Sequence, residues 1–469
     1  MTAALTPDRA RRRFVGLTAL RWLPIGIAAP VAVLLATARG LSPADIGVTV
    51  AVYGAVTLLL ELPTGGLTDA LGHRPVLIAS GLFTTAALAT MAVADSVLLF
   101  SLAWALKGVA RALDSGPLEA WYVDASRATD PRADVGRGLA QAGAADGAGL
   151  SVGAVLGGTL PLLLDRSSTV ALAAPLALAA AAALVHVAAV ALLVAPLGTA
   201  TASGRSALRA GVREVPVVVT TTVRLVTRDR VLRLLLLVSL LVGVVLTALE
   251  LLGPLQFADL AGSPERGSAV FGVVTAISFA AAAVGSLLAP AAGRAAGGSV
   301  VVLGAVTSVL AAALVAAFAL APGVALAGVA YAAFYLANAL PGPMRKALMH
   351  DRTTSAQRST TVSAASFALM LGGILGNLLL PRLADSWGLP AGLLAGAGAM
   401  LLIAVVSLGL TPRPGAAAPA PGAAAPGPEQ PVGGPSGHGD GPRDDEPAAL
   451  PGRVRERARA GAGVHRRAR

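Results

Sequence analysis

The chain contains no cysteine, so disulfide bonds and thiolate metal sites are excluded. Charged residues make up only 13% and aromatic residues 4% of its 469 positions, too few of the former for a solvated globular surface. Lysine occurs only at Lys107 and Lys346, so arginine supplies nearly all of the net charge of +11. Hydrophobic residues instead make up 55%, and the mean hydropathy is +0.74. This composition predicts a membrane protein.

Apolar runs long enough to cross a bilayer recur along the chain between short polar turns. Strand-like alternation is absent, and in lipid only helices and closed barrels satisfy their backbone polar groups. We therefore predict an all-α membrane protein with twelve transmembrane helices in two six-helix halves. The predicted spans are Phe14–Ala38, Ala44–Leu67, Pro75–Ala94, Leu98–Ala125, Val135–Leu164, Val170–Leu197, Val231–Phe257, Ala269–Ala292, Ser299–Ala321, Val324–Leu340, Thr361–Leu383 and Pro390–Leu410.

The distribution of arginine predicts the orientation. A basic chain would indicate nucleic-acid binding in a soluble protein, but here the charges collect in alternate turns between spans. If the N-terminus is cytoplasmic, the outer turns hold only Arg39, Arg166, Arg266 and Arg382. The positive-inside rule then places both termini in the cytoplasm of a cell-membrane protein. We expect the bilayer as a partner and no nucleic acid.

The chain divides into five predicted regions. Residues 1–13 form a cytoplasmic N-terminus, 14–197 the first six-helix half and 231–411 the second. The arginine-rich linker 198–230 reads as a cytoplasmic tether, or as an amphipathic segment lying on the inner leaflet. Residues 412–469, rich in Pro, Ala and Gly and then in mixed charge, have too little apolar surface to offset chain entropy, which predicts a disordered cytoplasmic tail.

A turn between the second and third spans carries an acid and a base among glycines. Its pattern Gly-x-x-x-Asp-x-x-Gly-x-Arg is formed by Gly65, Asp69, Gly72 and Arg74, with His73 between the last two. It resembles the signature loop of the major facilitator superfamily of secondary transporters, whose loop usually ends Gly-Arg-Lys or Gly-Arg-Arg. The resemblance implies two six-helix halves and alternating access. It also implies that Asp69, Arg74 and Asp124 form a gating charge network, although Asp124 alternatively only caps its helix.

The predicted fourth span holds five ionisable residues: Lys107, Arg111, Asp114, Glu119 and Asp124. A charge in hydrocarbon costs roughly 2.5–3.5 kcal/mol on insertion scales, so it needs a partner, a cavity or a function. At helical spacing, Lys107, Arg111 and Asp114 share one face. They read either as a pore-facing ladder of exchanging ion pairs or as a static buried network. Lys107-Gly108 and Ser115-Gly116-Pro117-Leu118-Glu119-Ala120, with Glu61-Leu62-Pro63-Thr64-Gly65 in span two, resemble one subgroup of the same family.

The predicted fifth span contains Gly149, Gly153, Gly157 and Gly158. Glycines four residues apart let two helices approach closely, and here their spacing also resembles the helix-5 motif of the family's drug/proton antiporters. Ala140 and Ala154 replace that motif's first glycine and its proline. One turn earlier lies Asp146. An acid there that binds and releases a proton would couple proton flow to substrate movement. Asp146, Glu61 and Asp114 are the proton-coupling candidates, and Arg21 is their candidate counter-charge.

Several further features are weaker signals. Glu250, near the outer end of span seven, reads as a gate or as a side chain reaching the lipid headgroups. The prolines at positions 24, 30, 63, 254 and 341 are expected to bend their helices. Gly149-Leu150-Ser151-Val152-Gly153 spells a hydrolase elbow, but it lies inside an apolar helix, and no phosphate-binding Gly-Lys-Ser/Thr occurs.

The sequence therefore predicts a secondary active transporter rather than an enzyme, with no cofactor or metal and a monomeric state. Proton-coupled efflux of small amphipathic molecules is the favoured function because of the helix-5 resemblance. Proton-coupled uptake of a small metabolite is the first alternative. A non-transporting sensor or scaffold with the same fold is the second.

Overall fold

The computed structural model describes residues 5–410 except 65, 197–211, 214–219, 221–226, 228 and 354–357. The predicted tail therefore lies outside the described residues, as does most of the predicted linker. All regular structure in the described ranges is helical. The first-half helices are α1 (Pro7–Ala28), α2 (Ala32–Ala38), α3 (Pro43–Thr64), α4 (Leu67–Leu71), α5 (His73–Val93), α6 (Val97–Leu113), α7 (Pro117–Arg127), α8 (Gly136–Thr159) and α9 (Ser168–Leu193). Those of the second half are α10 (Arg230–Thr247), α11 (Gly253–Ala261), α12 (Pro264–Ala295), α13 (Val300–Ala319), α14 (Val324–Ala339), α15 (Gly342–Asp351), α16 (Arg358–Trp387) and α17 (Leu389–Ser407).

Eleven helical stretches in the described ranges are long and apolar enough to cross a membrane. The predicted continuous span Leu98–Ala125 is not among them, because it is broken into α6 and α7. The break follows from local sequence: Gly116 adopts φ 107°, a left-handed conformation that glycine tolerates, and Pro117 starts the next helix. The twelfth membrane segment is therefore a discontinuous helix.

Prolines mark other breaks in the long helices. Pro30 lies in the turn between α1 and α2, Pro341 lies between α14 and α15, and Pro254 follows a π-helical turn at Ala248–Leu252. Pro24 lies inside α1 and Pro63 inside α3. Since proline removes a backbone donor and clashes with the preceding turn, Pro30, Pro254 and Pro341 lie where a long helix divides or changes type, whereas Pro24 and Pro63 lie within continuous helices.

Both halves use the same helix pairing. In the first half α1 packs on α8, α3 on α6 and α5 on α9. In the second half the corresponding pairs are α10 with α16, α12 with α14 and α13 with α17. The halves meet where α8 packs against α12 and α3 against α16. Two structural repeats therefore share one interface, as in transporters built from repeated halves.

Hydrogen bonds join the two halves at one membrane face. We call the face where α1 begins and α17 ends the terminal face, and the other the opposite face. At the opposite face Ser268 Oγ donates to the carbonyl of Gly158 at 2.9 Å, and the backbone N–H of Ala44 donates to Asp385 Oδ2 at 3.0 Å, each joining one half to the other. The largest apolar cluster contains side chains from both halves, including Ile46 of α3 and Phe257 of α11.

At the terminal face each half has its own apolar cluster. The first half buries Phe14, Leu77, Trp121, Tyr122 and Val190 together, with Phe14 stacked on Tyr122 at 4.5 Å between ring centroids. The second half buries a separate set: Val231, Leu232, Leu235, Leu348, Met349 and Leu410. Neither cluster includes a residue of the other half. In the described ranges the halves are therefore joined at the opposite face, whereas their apolar clusters at the terminal face are separate.

Replacement of Gly153 by leucine is expected to separate α1 from α8 and to lower stability by about 1–3 kcal/mol or more through overpacking. A Cβ at Gly153 would overlap the backbone of α1 at Leu23, Gly26 and Ile27. Gly143→Leu on the same helix is the matched control, because a Cβ there meets no atom within 4 Å. Thermal unfolding in lipid nanodiscs measures both variants. Equal melting temperatures would contradict the close approach of the two helices.

Candidate functional site

The break between α6 and α7 positions the first acid of the site. Asp114 directly follows the last residue of α6, and its backbone is no longer helical, with φ −96° and ψ 7°. Its carboxylate forms an ion pair with the guanidinium of Arg21, which projects from α1. The two side chains are only 14% and 18% exposed. Arg21, predicted as a counter-charge, therefore has Asp114 as its specific partner. The ion pair joins α1 to the end of α6, the helix that carries Lys107 and Arg111.

Asp146 lies beside this ion pair. Arg21, Asp114 and Arg111 are the charged groups near enough to act on it electrostatically. Its Oδ1 atom is buried and has no hydrogen-bond partner. Asp146 is ten residues from the start of α8, which corresponds to about 15 Å of helix. Arg21, Asp114 and Asp146 therefore form one cluster, contributed by α1, the α6–α7 break and α8, well inside the membrane-spanning part.

The other two acids predicted near this cluster lie apart from it. Glu61 is half-buried on α3, where its charge acts on Tyr53, and it is not among the charges that act on Asp114 or Asp146. Glu119 is exposed on α7 and forms no ion pair within the described part of the chain. Glu119 lies apart because the helix breaks after Asp114. The new helix α7 does not continue the face of α6.

Lys107 occupies a second charged position, closer to the opposite face. Its Nζ lies 4.6 Å from the ring centroid of Trp104 and 5.9 Å from that of Tyr53, so two aromatic faces surround the ammonium group. The nearest negative charge that acts on it is Glu250, on the π-helical turn of the second half. Arg111, one turn further along α6, is exposed and acts on Tyr53, Asp114 and Asp146.

Glu250 is placed differently from the headgroup position that we considered. It is the one exposed residue in the stretch 247–257, whose other members are all buried. Since its neighbours are enclosed by protein, its carboxylate opens into the space between the halves rather than toward lipid headgroups. A glutamate in an apolar span was the available sequence signal. The π-helical turn that directs it inward was not predicted, and such turns occur frequently at functional sites.

Two contacts are described around the signature loop. Asp124 Oδ2 lies 3.0 Å from Nε2 of His73, and Arg74 donates to the backbone carbonyl of Ala191 on α9. Asp69 is exposed. Gly72 has φ 83°, a conformation that allows α5 to begin directly after α4. Gly65 lies outside the described residues. His73, which replaces the arginine that usually follows the glycine in the family's loop, therefore contacts Asp124.

The four glycines of α8 have two different neighbours. Gly149, Gly153 and Gly157 lie against the backbone of α1, where added side chains would collide with Ala19, Leu23 and Ile27. Gly158 lies against Ser268 and Gly272 of α12 in the other half. Three of the glycines therefore hold the helix that carries Arg21 next to the helix that carries Asp146. The fourth forms part of the closed interface between the halves.

Comparison with known proteins gives a family match over most of the chain. Residues 14–342 match the Major Facilitator Superfamily. No curated protein matches the sequence.

Several crystal structures share the fold. The nucleoside transporter NupG matches with a TM-score of 0.68 at 14% identity, over 86% of this chain and 98% of that one. A bacterial homologue of the human lysosomal transporter Spinster, in an inward-facing and unoccupied conformation, matches at 0.63 and 15% identity over 87% and 96% of the two chains. The peptide transporter POT, in complex with sulfate, matches at 0.63 and 13% identity over 86% and 94%. At these identities the likeness is one of fold.

Proposed function

The chain belongs to the major facilitator superfamily, and we propose that it couples proton movement to the export of small amphipathic molecules across the cell membrane. The observation that carries this proposal is the unpartnered carboxylate oxygen of Asp146 beside the Arg21–Asp114 ion pair. The membrane-embedded helices and the transporter fold make the chain a multi-pass transporter rather than an enzyme. We propose the proton as the coupling ion, export as the direction and a small amphipathic molecule as the substrate.

The state of the molecule supports alternating access. The halves are joined at the opposite face through Gly158, Ser268, Ala44 and Asp385, and the apolar clusters at the terminal face are separate. Rocking about the central charges would close the terminal face and open the other. We propose that the terminal face is cytoplasmic, because the arginine-rich turns lie there. In that orientation the present state is open to the cytoplasm.

Asp146 has the surroundings of a proton carrier. Asp114 already has a cationic partner in Arg21, whereas the buried Oδ1 of Asp146 has none. Protonation would remove an uncompensated charge from the interior, and release of the proton would leave Asp146 and Asp114 competing for Arg21. Of the three predicted candidates, Asp146 is therefore the preferred proton carrier. Asp114 holds Arg21 in place, and Glu61, beside Tyr53, is the least favoured.

Export is favoured over uptake by the glycine row of α8, whose spacing resembles antiporters. The test uses the full chain in sealed vesicles with a panel of radiolabelled amphipathic compounds and an imposed pH gradient. An antiporter moves its substrate against proton flow, so the compound accumulates when the vesicle interior is acidic. An uptake symporter would accumulate it when the interior is alkaline. A sensor or scaffold would produce no gradient-dependent flux of either sign, and that result would contradict transport.

A further inference from the structure

Two opposite charges, one in each half, lie at about the same membrane depth. Lys107 is ten residues after Val97, where α6 begins at the opposite face, and Glu250 is eleven residues before Ala261, where α11 ends there. At about 1.5 Å per residue, both lie some 15 Å from that face. They interact electrostatically but form no ion pair with each other or with any other residue of the described ranges.

The Lys107 side of this gap is aromatic. Trp104 and Tyr53 lie within cation–π range of Nζ, and their rings meet edge to face with 5.8 Å between centroids. No carboxylate in the described ranges pairs with the ammonium group. The ring faces stabilise the cation only in part. Lys107 therefore keeps donor capacity for an anionic group that enters the cavity.

The Glu250 side is acidic and also aromatic. Tyr331 and Tyr335 of α14 lie near enough to sense its charge, and Tyr335 is half-buried at the edge of a cluster formed by Phe257, Phe271, Phe318, Tyr331 and Phe334. No described side chain donates a hydrogen bond to the Glu250 carboxylate. The carboxylate therefore remains able to accept a cationic group. Tyr53 also senses Glu250, so the aromatic walls of both halves border the same gap.

A charge in a membrane interior is costly unless it is compensated, and a ligand supplies that compensation when it enters. A ligand with one charge would compensate either Lys107 or Glu250 and be repelled by the other. A ligand with both charges compensates the two residues together. The site therefore discriminates in its favour against ligands that carry only one charge. We propose that the transported molecule is a zwitterion with an aromatic or apolar body, its anionic group at Lys107 and its cationic group at Glu250. This inference rests on the proposed transport function and specifies its substrate class.

Binding of four related probes tests the proposal on the full chain in lipid nanodiscs, by calorimetry at neutral pH without a gradient. Phenylalanine and glycyl-phenylalanine carry both charges at different separations, phenethylamine carries only the cation, and 3-phenylpropionate only the anion. At least one zwitterion is expected to bind roughly tenfold or more tightly than either singly charged probe. Equal binding of all four, or binding only of a singly charged probe or of none, would overturn the substrate class.

Variants assign each charge to its partner. Lys107→Gln is expected to abolish the preference for the zwitterion over phenethylamine, and Glu250→Gln the preference over 3-phenylpropionate. Lys346→Gln and Glu265→Gln are the matched controls, since Lys346 is exposed on α15 and Glu265 lies at the start of α12. The charge exchange Lys107→Glu with Glu250→Lys is expected to restore zwitterion binding in the reversed direction. An unchanged preference in both single variants would show that the two residues do not bind the ligand.

The outcome is separable from that of the proton-coupling proposal. Binding is measured without a pH gradient, so the zwitterion preference is read independently of proton coupling. Gradient-driven flux of a singly charged compound, with no zwitterion preference, would leave the transport proposal standing and overturn only the substrate class. Zwitterion binding without gradient-driven flux would support the substrate class and overturn the transport proposal.

Discussion

Asp146→Asn is expected to abolish proton-driven accumulation of substrate while leaving substrate exchange intact. A gradient of about one pH unit supplies about 1.4 kcal/mol for each proton, enough for roughly a tenfold concentration ratio with one-to-one coupling. Asparagine has nearly the same shape but cannot release a proton, so the ratio is expected to fall to about one. Accumulation in vesicles with an acidic interior measures the first quantity, and counterflow of labelled against unlabelled substrate without a gradient measures the second.

The matched control is Asp165→Asn, in the exposed turn after α8. It removes the same carboxylate chemistry from outside the cluster and is expected to accumulate substrate as the native chain does. Asp146→Glu keeps a titratable group and is expected to retain part of the coupling. Full accumulation by Asp146→Asn would remove Asp146 from the proton pathway and leave Asp114 and Glu61 as the candidates to test next.

Removal of either partner of the Arg21–Asp114 pair is expected to destabilise the protein by about 3–5 kcal/mol, because the remaining charge is left uncompensated in the interior. The two side chains are mostly buried and join α1 to the break between α6 and α7. The double variant Arg21→Met with Asp114→Leu removes both charges and is expected to recover most of that loss. Unfolding of the four proteins in nanodiscs gives the coupling energy as a double-mutant cycle.

An ion pair with one exposed partner, in the same helix, serves as the reference. Arg11 and Asp8 of α1 are 2.9 Å apart; the Asp8 side chain is 77% exposed and the Arg11 side chain 19%. Such a pair is worth at most about 1 kcal/mol, so the coupling energy between Arg11→Met and Asp8→Leu is expected to be small, while Arg11→Met alone also removes the hydrogen bond to Gln141. Coupling energies of equal size for the two pairs would mean that water reaches Arg21 and Asp114 freely, and that they do not act as an interior pair.

The charged residues could be found from the sequence, and Arg21 is among them as a predicted counter-charge, but which of Asp146, Glu61 and Asp114 it pairs with could not. Asp114 was expected to share a helical face with Lys107 and Arg111, since an unbroken helix repeats at 3.6 residues per turn. The left-handed Gly116 and the following Pro117 end that periodicity. Asp114 instead pairs with Arg21, some ninety positions away along the chain. Likewise, Glu250 was readable as an acid near a span's end, and only the π-helical turn directs it toward Lys107.

The sequence by itself determined the class of protein and the pattern of membrane crossings, because the length and polarity of each apolar run depend on local composition and the bilayer thickness. It also determined that α8 can approach another helix closely, since Gly149, Gly153 and Gly157 leave no side chain in the way. Only the tertiary structure decided which helix that is, which face of the molecule is closed, and which charges meet. Those outcomes depend on contacts between segments far apart in the chain, and local periodicity carries no information about them.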